Sequence, residues 1–204
     1  MLDVGANTGQ YGKELRAIGY KGRIVSFEPL TSAYKELLKT ANSDGSWIAL
    51  RFALGDAEGK AVLNIAGNSM SSSILDMLPS HAKSAPESQY VGREQVEVRT
   101  LDSVFDTICS QEQSILLKID TQGFEKHVLD GAERSLRFIN TIQLEMSLIP
   151  LYQGELLFPE LSQLLYQKGY RLASIEPVFA DRETGQLLQI DGIFHRQVAT
   201  ADPR

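Results

Sequence analysis

A single cysteine in 204 residues, Cys109, excludes an intrachain disulfide and any cysteine-built metal centre. It is expected to be a buried apolar residue. Histidine is scarce too: His81, His127 and His195 stand far apart, and none has the partner spacing that marks zinc. No metal site is expected, since Asp120, Glu145 and Asp191 lie on three separate segments without ligand spacing. No apolar run reaches the length of about eighteen residues that a membrane-spanning helix needs. Positive charge is also lacking: 20 Lys and Arg against 26 Asp and Glu leave a net charge of -6. Nucleic acid is therefore disfavoured as a partner. No secretory leader precedes the first strand, so the expected location is cytoplasmic. The chain begins inside that strand, so Met1 is expected to be an imposed boundary or a late start.

What is present is concentrated at the start. Met1 to Val4 reads as a short strand carrying Asp3, followed by the loop Gly5-Ala6-Asn7-Thr8-Gly9 and a helix pattern from Gln10 to Ile18. Gly5 and Gly9 allow a tight turn and close backbone approach to a ligand. A helix start offers free N–H groups to a polar or anionic group. A second buried strand, Arg23 to Phe27, ends at Glu28-Pro29. A carboxylate there is placed to accept hydrogen bonds from both hydroxyls of a ribose. The nicotinamide fingerprint G-x-G-x-x-G lacks its middle glycine here. Asp3 would repel a pyrophosphate but suits an ammonium group, which favours S-adenosylmethionine over NAD.

Strand and helix patterns then alternate, predicting an α/β fold with a mostly parallel sheet covered on both faces. A helix is expected over Ser32 to Thr40, capped by Thr31, and a third strand over Trp47 to Leu54. Lys60 to Ile65 and Gln95 to Thr100 alternate with period two, as half-exposed antiparallel strands do. Between them, Gly67 to Gly92 is expected to be a mobile loop or substrate lid. Buried strands at Ile115 to Asp120 and Thr141 to Glu145, with a helix from Glu125 to Phe138 between them, precede a helix over Phe158 to Lys168. Arg171 to Ile175 and Leu187 to Phe194 are expected as closing strands. The organisation expected is one domain over 1–198 and a frayed tail over 199–204.

Ligands of such sheets bind outside the carboxyl ends of the strands. Asp3, Glu28, Asp120 and Glu145 are expected to converge there. Asp3-Val4-Gly5-Ala6-Asn7-Thr8-Gly9, Phe27-Glu28-Pro29, Thr100-Leu101-Asp102, Lys118 to Glu125 and Leu129-Asp130-Gly131-Ala132 resemble the successive motifs of the FkbM-type methyltransferases. The resemblance runs from Asp3 to about Phe194. It implies a class I, Rossmann-like fold with a seven-stranded-type sheet and an antiparallel C-terminal strand. It also implies S-adenosylmethionine as cofactor and a hydroxyl acceptor on a sugar, glycan or glycosylated or polyketide metabolite. Asp3, Gly5, Ala6, Asn7 and Gly9 would line the methionine end, Glu28 and Pro29 the ribose, and Ala53 and Leu54 the adenine. Asp120 would lie beside the sulfonium as first candidate for base, with Glu145 second and Glu125 starting a helix. The family pattern often has Glu where this chain has Gln122. Acceptor choice is expected from Gly67 to Gly92 and Ser147 to Phe158, with Tyr90, Tyr152 and Phe158 as stacking candidates. The rival readings are a nicotinamide oxidoreductase, which lacks a Tyr-x-x-x-Lys pair here, and a non-catalytic cofactor- or partner-binding domain. Oligomeric state has no signature in the sequence.

Overall fold

A computed structural model describes residues 1–109 and 114–197. The expected tail lies outside the described residues. The chain runs β1 (Leu2–Val4), α1 (Gln10–Ala17), β2 (Ile24–Phe27), α2 (Thr31–Asn42), β3 (Trp47–Leu50), β4 (Ala53–Leu54) and β5 (Gly59–Ala66). It continues through α3 (Pro79–Ser84), β6 (Tyr90–Arg99), α4 (Leu101–Ile108), β7 (Leu116–Ile119), α5 (Glu125–Asp130) and β8 (Thr141–Ser147). It closes with α6 (Phe158–Gln167), β9 (Tyr170–Ala180) and β10 (Leu187–Arg196). Seven strands form one sheet in the order β3-β2-β1-β7-β8-β10-β9. β10 runs antiparallel to both of its neighbours, and the other pairs in the sheet are parallel. This is the expected Rossmann-like sheet with its reversed C-terminal strand.

The central strands are short continuous apolar runs because both faces are covered. Leu2, Val4, Phe27, Leu117, Ile119, Ile142 and Leu144 are buried. On one face α2 lays Ala33, Leu37 and Ala41 inward, at helical spacing. α4 contributes Leu101, Val104, Phe105 and Ile108 to the main core. Strand order reverses at β1, whose neighbours are β2 and β7. A crevice at the carboxyl ends of these strands follows from that reversal. No helix among the described residues is long and apolar enough to cross a membrane.

Several boundaries differ from the sequence expectation. Trp47 to Leu54 is not one strand. β3 ends at Leu50, Arg51 is exposed and Phe52 turns inward, its ring 5.6 Å from that of Phe27. β4 then pairs with β6 in a second, three-stranded sheet of order β4-β6-β5, where β5 and β6 are antiparallel as expected. Thr31 is the first residue of α2 rather than its cap, because its N–H and hydroxyl are donated to Glu94. The helix expected through Phe138 stops at Asp130. The Asp102 carboxylate draws the chain aside, accepting from the Arg134 and Ser135 N–H groups and from the Ser135 hydroxyl. Gly67 to Gly92 is not a bare loop: it holds α3, a 3-10 turn at Pro86–Ser88 and the start of β6. Buried Ser71, Ser73, His81 and Ser88 anchor it. Cys109 is half-buried at the end of α4.

Candidate active site

The crevice begins at the turn after β1. Gly5 has φ 79°, and a Cβ there would stand 1.8 Å from the Asp120 carbonyl oxygen. Only glycine lets this turn rest against the end of β7. The Gly5 and Ala6 N–H groups both donate to the Phe27 carbonyl at 3.1 Å, tying the turn to β2. Gly9 also has a left-handed backbone, but it faces Leu37 and Trp47 and lines neither cavity described below. Its part in the fold is to seat α1 on the sheet. Asp3 lies in mid-strand, buried, and accepts from the Ser26 hydroxyl at 2.9 Å. Burial pushes its carboxyl up to about 6, against the opposing pull of the Lys118 ammonium.

Two cavities meet at Gly5, Asn7, Met70 and Asp120. The smaller, about 60 Å³, has Glu28 and Pro29 at its edge and Ala53, Leu54, Leu63 and Phe124 as apolar walls. Splitting the third strand thus keeps Ala53 and Leu54 where they were expected. Glu28 accepts from the Asn7 N–H at 2.8 Å and the Leu30 N–H at 2.7 Å. Burial nevertheless raises it to about 7, outweighing both donors. The Asn7 side-chain amide donates to the Ser69 hydroxyl at 3.2 Å, so the segment after β5 closes over this junction.

The larger cavity, about 490 Å³, contains Asp3, Ala6, Lys118, Asp120, Gln122 and Glu145 among its walls. Glu145 sits within β8 rather than at its tip, yet it reaches the same place as Asp120. Lys118 and Asp120 alternate on one face of the β7 segment, and their charged ends are 3.0 Å apart. The Gln122 amide nitrogen donates to Asp120 Oδ1 at 2.8 Å and to Glu145 Oε2 at 2.5 Å. The Gln189 amide adds a donor to Glu145 at 3.1 Å. Burial alone would raise Asp120, but Lys118 and Gln122 overturn it and hold the carboxyl below its ordinary value. Glu145 is driven well above its ordinary value by burial and then by the Asp120 charge. The two neighbouring acids are pushed in opposite directions: Lys118 and Gln122 favour the ionised form of Asp120, while burial and the Asp120 charge favour the protonated form of Glu145.

Among the described residues no group of three or more His, Cys, Asp or Glu is arranged to hold a metal ion. Lys118 brings the positive charge instead. Glu125 is buried and accepts from the Thr121 and Gly123 N–H groups, organising the turn before α5. His127 packs on Phe124 and pairs with Asp56 at 3.2 Å at the surface. His195 bonds Thr141 at 2.9 Å, outside both cavities. His81 does line the larger cavity, but burial lowers it to about 4, so it is neutral. Tyr152 is buried and cannot stack on a ligand; its hydroxyl donates to Gln122 Oε1 at 2.7 Å. Tyr90 donates to the Leu75 carbonyl, and Phe158 packs on the core. Sequence reasoning gave no role to Lys118 and left that of Gln122 open. The i, i+2 spacing of Lys118 and Asp120 was the available signal for the first.

The Gly-turn, the acid at the tip of β2 and the charged segment after β7 are the motif positions of one family. A model of the methyltransferase FkbM domain matches residues 3–172. The chain belongs to the FkbM methyltransferase family. Among solved structures it is similar to the FkbM methyltransferase of Methylobacillus flagellatus KT, with TM-score 0.57 and 15% identity over 94% of this chain. It spans 42% of that protein, less than half its length. It is also similar to Sp1610 of Streptococcus pneumoniae, a putative tRNA (m1A22) methyltransferase, with TM-score 0.53 and 10% identity over 98% of this chain and 65% of that one. Aeropyrum pernix fibrillarin, solved with natively bound S-adenosyl-L-methionine, has TM-score 0.51 and 10% identity over 94% of this chain and 64% of that one. At these identities the likeness shows the fold, that of the Rossmann-like methyltransferases. None of the curated proteins matches the sequence.

Proposed function

We propose that this FkbM domain is an S-adenosylmethionine-dependent O-methyltransferase, acting on a hydroxyl of a sugar, glycan or glycosylated or polyketide metabolite. The observation that carries the reading is the place of Asp120, a carboxyl held below its ordinary value, at the junction of two cavities, the smaller of which is lined by the buried carboxyl of Glu28. The cavity chemistry fits the cofactor. Glu28 and Pro29 take the ribose, the apolar slot of Ala53, Leu54 and Phe124 takes the adenine, and Asp3 and Asp120 face its cationic end. When bound, S-adenosylmethionine supplies an electrophilic methyl group on a sulfonium.

Asp120 accepts the hydrogen bond of the acceptor hydroxyl and thereby aims the oxygen lone pair. It takes the hydroxyl proton as the oxygen–carbon bond forms, while the electrons of the broken carbon–sulfur bond stay on sulfur. Lys118 holds Asp120 in place from its own strand. Glu145, second candidate in the sequence reading, is pushed toward its protonated form by burial and by the Asp120 charge and is assigned no base role. The rest of the larger cavity, about 490 Å³, is large enough for a sugar-sized acceptor.

Calorimetric titration with S-adenosylhomocysteine, with NADH as control, tests the cofactor. Micromolar binding of the former alone, weakened by Glu28→Ala, is expected. An acceptor screen with radiolabelled S-adenosylmethionine then tests the reaction, with Asp120→Ala as the inactive control. Binding without transfer to any sugar, glycan or polyketide acceptor would favour a non-catalytic domain.

A further inference from the structure

Gln122 has every polar atom of its side chain engaged. It is buried, its backbone has φ 56°, and its carbonyl accepts from the Ser73 hydroxyl at 2.6 Å. A non-glycine residue held in that region persists only where its neighbours over-determine it. Its amide is equally pinned. The two N–H bonds of Nε2 are divided between Asp120 at 2.8 Å and Glu145 at 2.5 Å. Oε1 receives the Tyr152 hydroxyl at 2.7 Å. The two acids turn the N–H groups toward themselves, which leaves Oε1 to the Tyr152 hydroxyl, whose other neighbours are the Ser71 carbonyl and His81 Nε2.

We propose that Gln122, locked by Tyr152, is a positioning residue that fixes a single negative charge on Asp120, and that the site thereby prefers S-adenosylmethionine over its uncharged-sulfur product, S-adenosylhomocysteine. The inference rests on the reading of this crevice as an S-adenosylmethionine site. Asp120 is faced by Lys118 on its own segment, by Asp3 and Glu28 from β1 and β2, and by Glu145 and Asp191 from β8 and β10. Glu125 faces it from α5, and the Tyr152 phenol from the segment after β8. Burial favours the neutral form of Asp3, Glu28, Glu125 and Glu145, and Asp191 is raised from its ordinary value as well. Asp120 is the exception, and Gln122 is the one neutral donor it shares with Glu145. A glutamate at this position would offer no N–H, and three carboxyls would need a further proton or a cation. Loss of the methyl group removes the sulfonium charge that Asp120 faces, so the same residue that assists transfer weakens the hold on the product.

The test compares the affinities of S-adenosylmethionine and S-adenosylhomocysteine by calorimetry between about pH 6 and about pH 9, with no acceptor needed. The wild type is expected to prefer the sulfonium form roughly tenfold, with a modest rise between about pH 6 and about pH 7 as Asp3 and Glu28 ionise and little change above it. Gln122→Leu removes a donor from Asp120, so its carboxyl rises and the preference falls to within about twofold at the acid end, recovering as pH increases. Tyr152→Phe removes only the bond that holds Gln122 Oε1 and is expected to change the preference in the same direction by less. Gln122→Glu, which keeps side-chain volume, is expected to give the steepest rise of the preference with pH. Thermal unfolding of each variant controls for folding. Equal wild-type affinity for the two nucleosides would overturn the proposal. So would variants that lose affinity for both in step, with the wild-type ratio at every pH, because that is what a merely structural role predicts. If the wild type binds neither nucleoside, the cofactor reading itself falls and the inference with it, an outcome recognisable because no ratio exists.

Discussion

The two halves of the crevice solve the same problem, a buried carboxylate, in different ways. On the nucleoside side, Glu28 is satisfied by backbone N–H groups of Asn7 and Leu30, set by the turn after β1 and the entry to α2. On the acceptor side, Asp120 and Glu145 are satisfied by side chains: Lys118, Gln122 and Gln189. Backbone donors cannot be exchanged by substitution, whereas side-chain donors can. The first half is therefore fixed by chain geometry and the second is adjustable one residue at a time.

The two halves touch at Gly5, and the largest effect is expected from breaking that contact. Gly5→Val places branched carbon where the Asp120 carbonyl stands, at a backbone angle valine does not adopt. Loss of more than about 3 kcal/mol of stability, or no folded protein, is expected from urea unfolding. An unchanged midpoint would mean that the turn and β7 separate easily. Next in size is Asp120→Asn. Methyl transfer should fall roughly 10²–10⁴-fold while affinity for S-adenosylhomocysteine falls far less, since the sulfur of that product carries no charge for Asp120 to face. Glu28→Ala should do the reverse, weakening binding of both nucleosides. If both variants fail in the same assay, the division of labour between the halves is wrong.

Acidity separates the halves more gently. Burial raises Asp3 to about 6 and Glu28 and Glu125 to about 7, from ordinary values of 3.8, 4.5 and 4.5. The folded chain therefore holds protons that the unfolded chain releases between about pH 4.5 and about pH 7. Stability from these groups is complete below that window and is lost as pH rises through it. Asp120, with its lowered carboxyl, acts oppositely and loses its contribution as pH falls below the ordinary carboxylate range. The unliganded protein should thus have a higher unfolding midpoint at about pH 5 than at about pH 8. Glu28→Gln should flatten part of that slope. A midpoint rising steadily from pH 5 to pH 8 would show that these acids are ionised in the folded state.

The contrast also explains what the sequence disclosed. Gly5, Glu28 and the alternation of short apolar runs were legible because each follows from local geometry: a turn that needs glycine, a strand tip, a period. The family motifs carried Asp120 with them. The break between β3 and β4 was not legible, because Trp47 to Leu54 is continuously apolar apart from Arg51, and only packing of Phe52 on Phe27 interrupts it. The role of Gln122 was hidden for a similar reason. Its partners Asp120, Glu145 and Tyr152 come from three segments, and the spacing between those segments encodes nothing about their contact. Gly9 carries a packing requirement that its motif did not disclose, because an indole ring lies beneath it.

The smallest effect separates the two acids of the acceptor half. Glu145 accepts two amide donors at Oε2, from Gln122 and Gln189, and burial and the Asp120 charge push its carboxyl well above its ordinary value. Both causes favour the form that keeps its proton. A glutamine reproduces that neutral form, its oxygen taking the two donors. Glu145→Gln should therefore keep methyl transfer within about threefold of the wild type and leave its pH dependence unaltered near neutrality. A base, by contrast, does not survive conversion to an amide, and Glu145→Asp, which keeps the acid but shortens its reach, should then be the milder change. A loss on Glu145→Gln as deep as that on Asp120→Asn would place the working proton acceptor on β8 and reverse the roles of the pair.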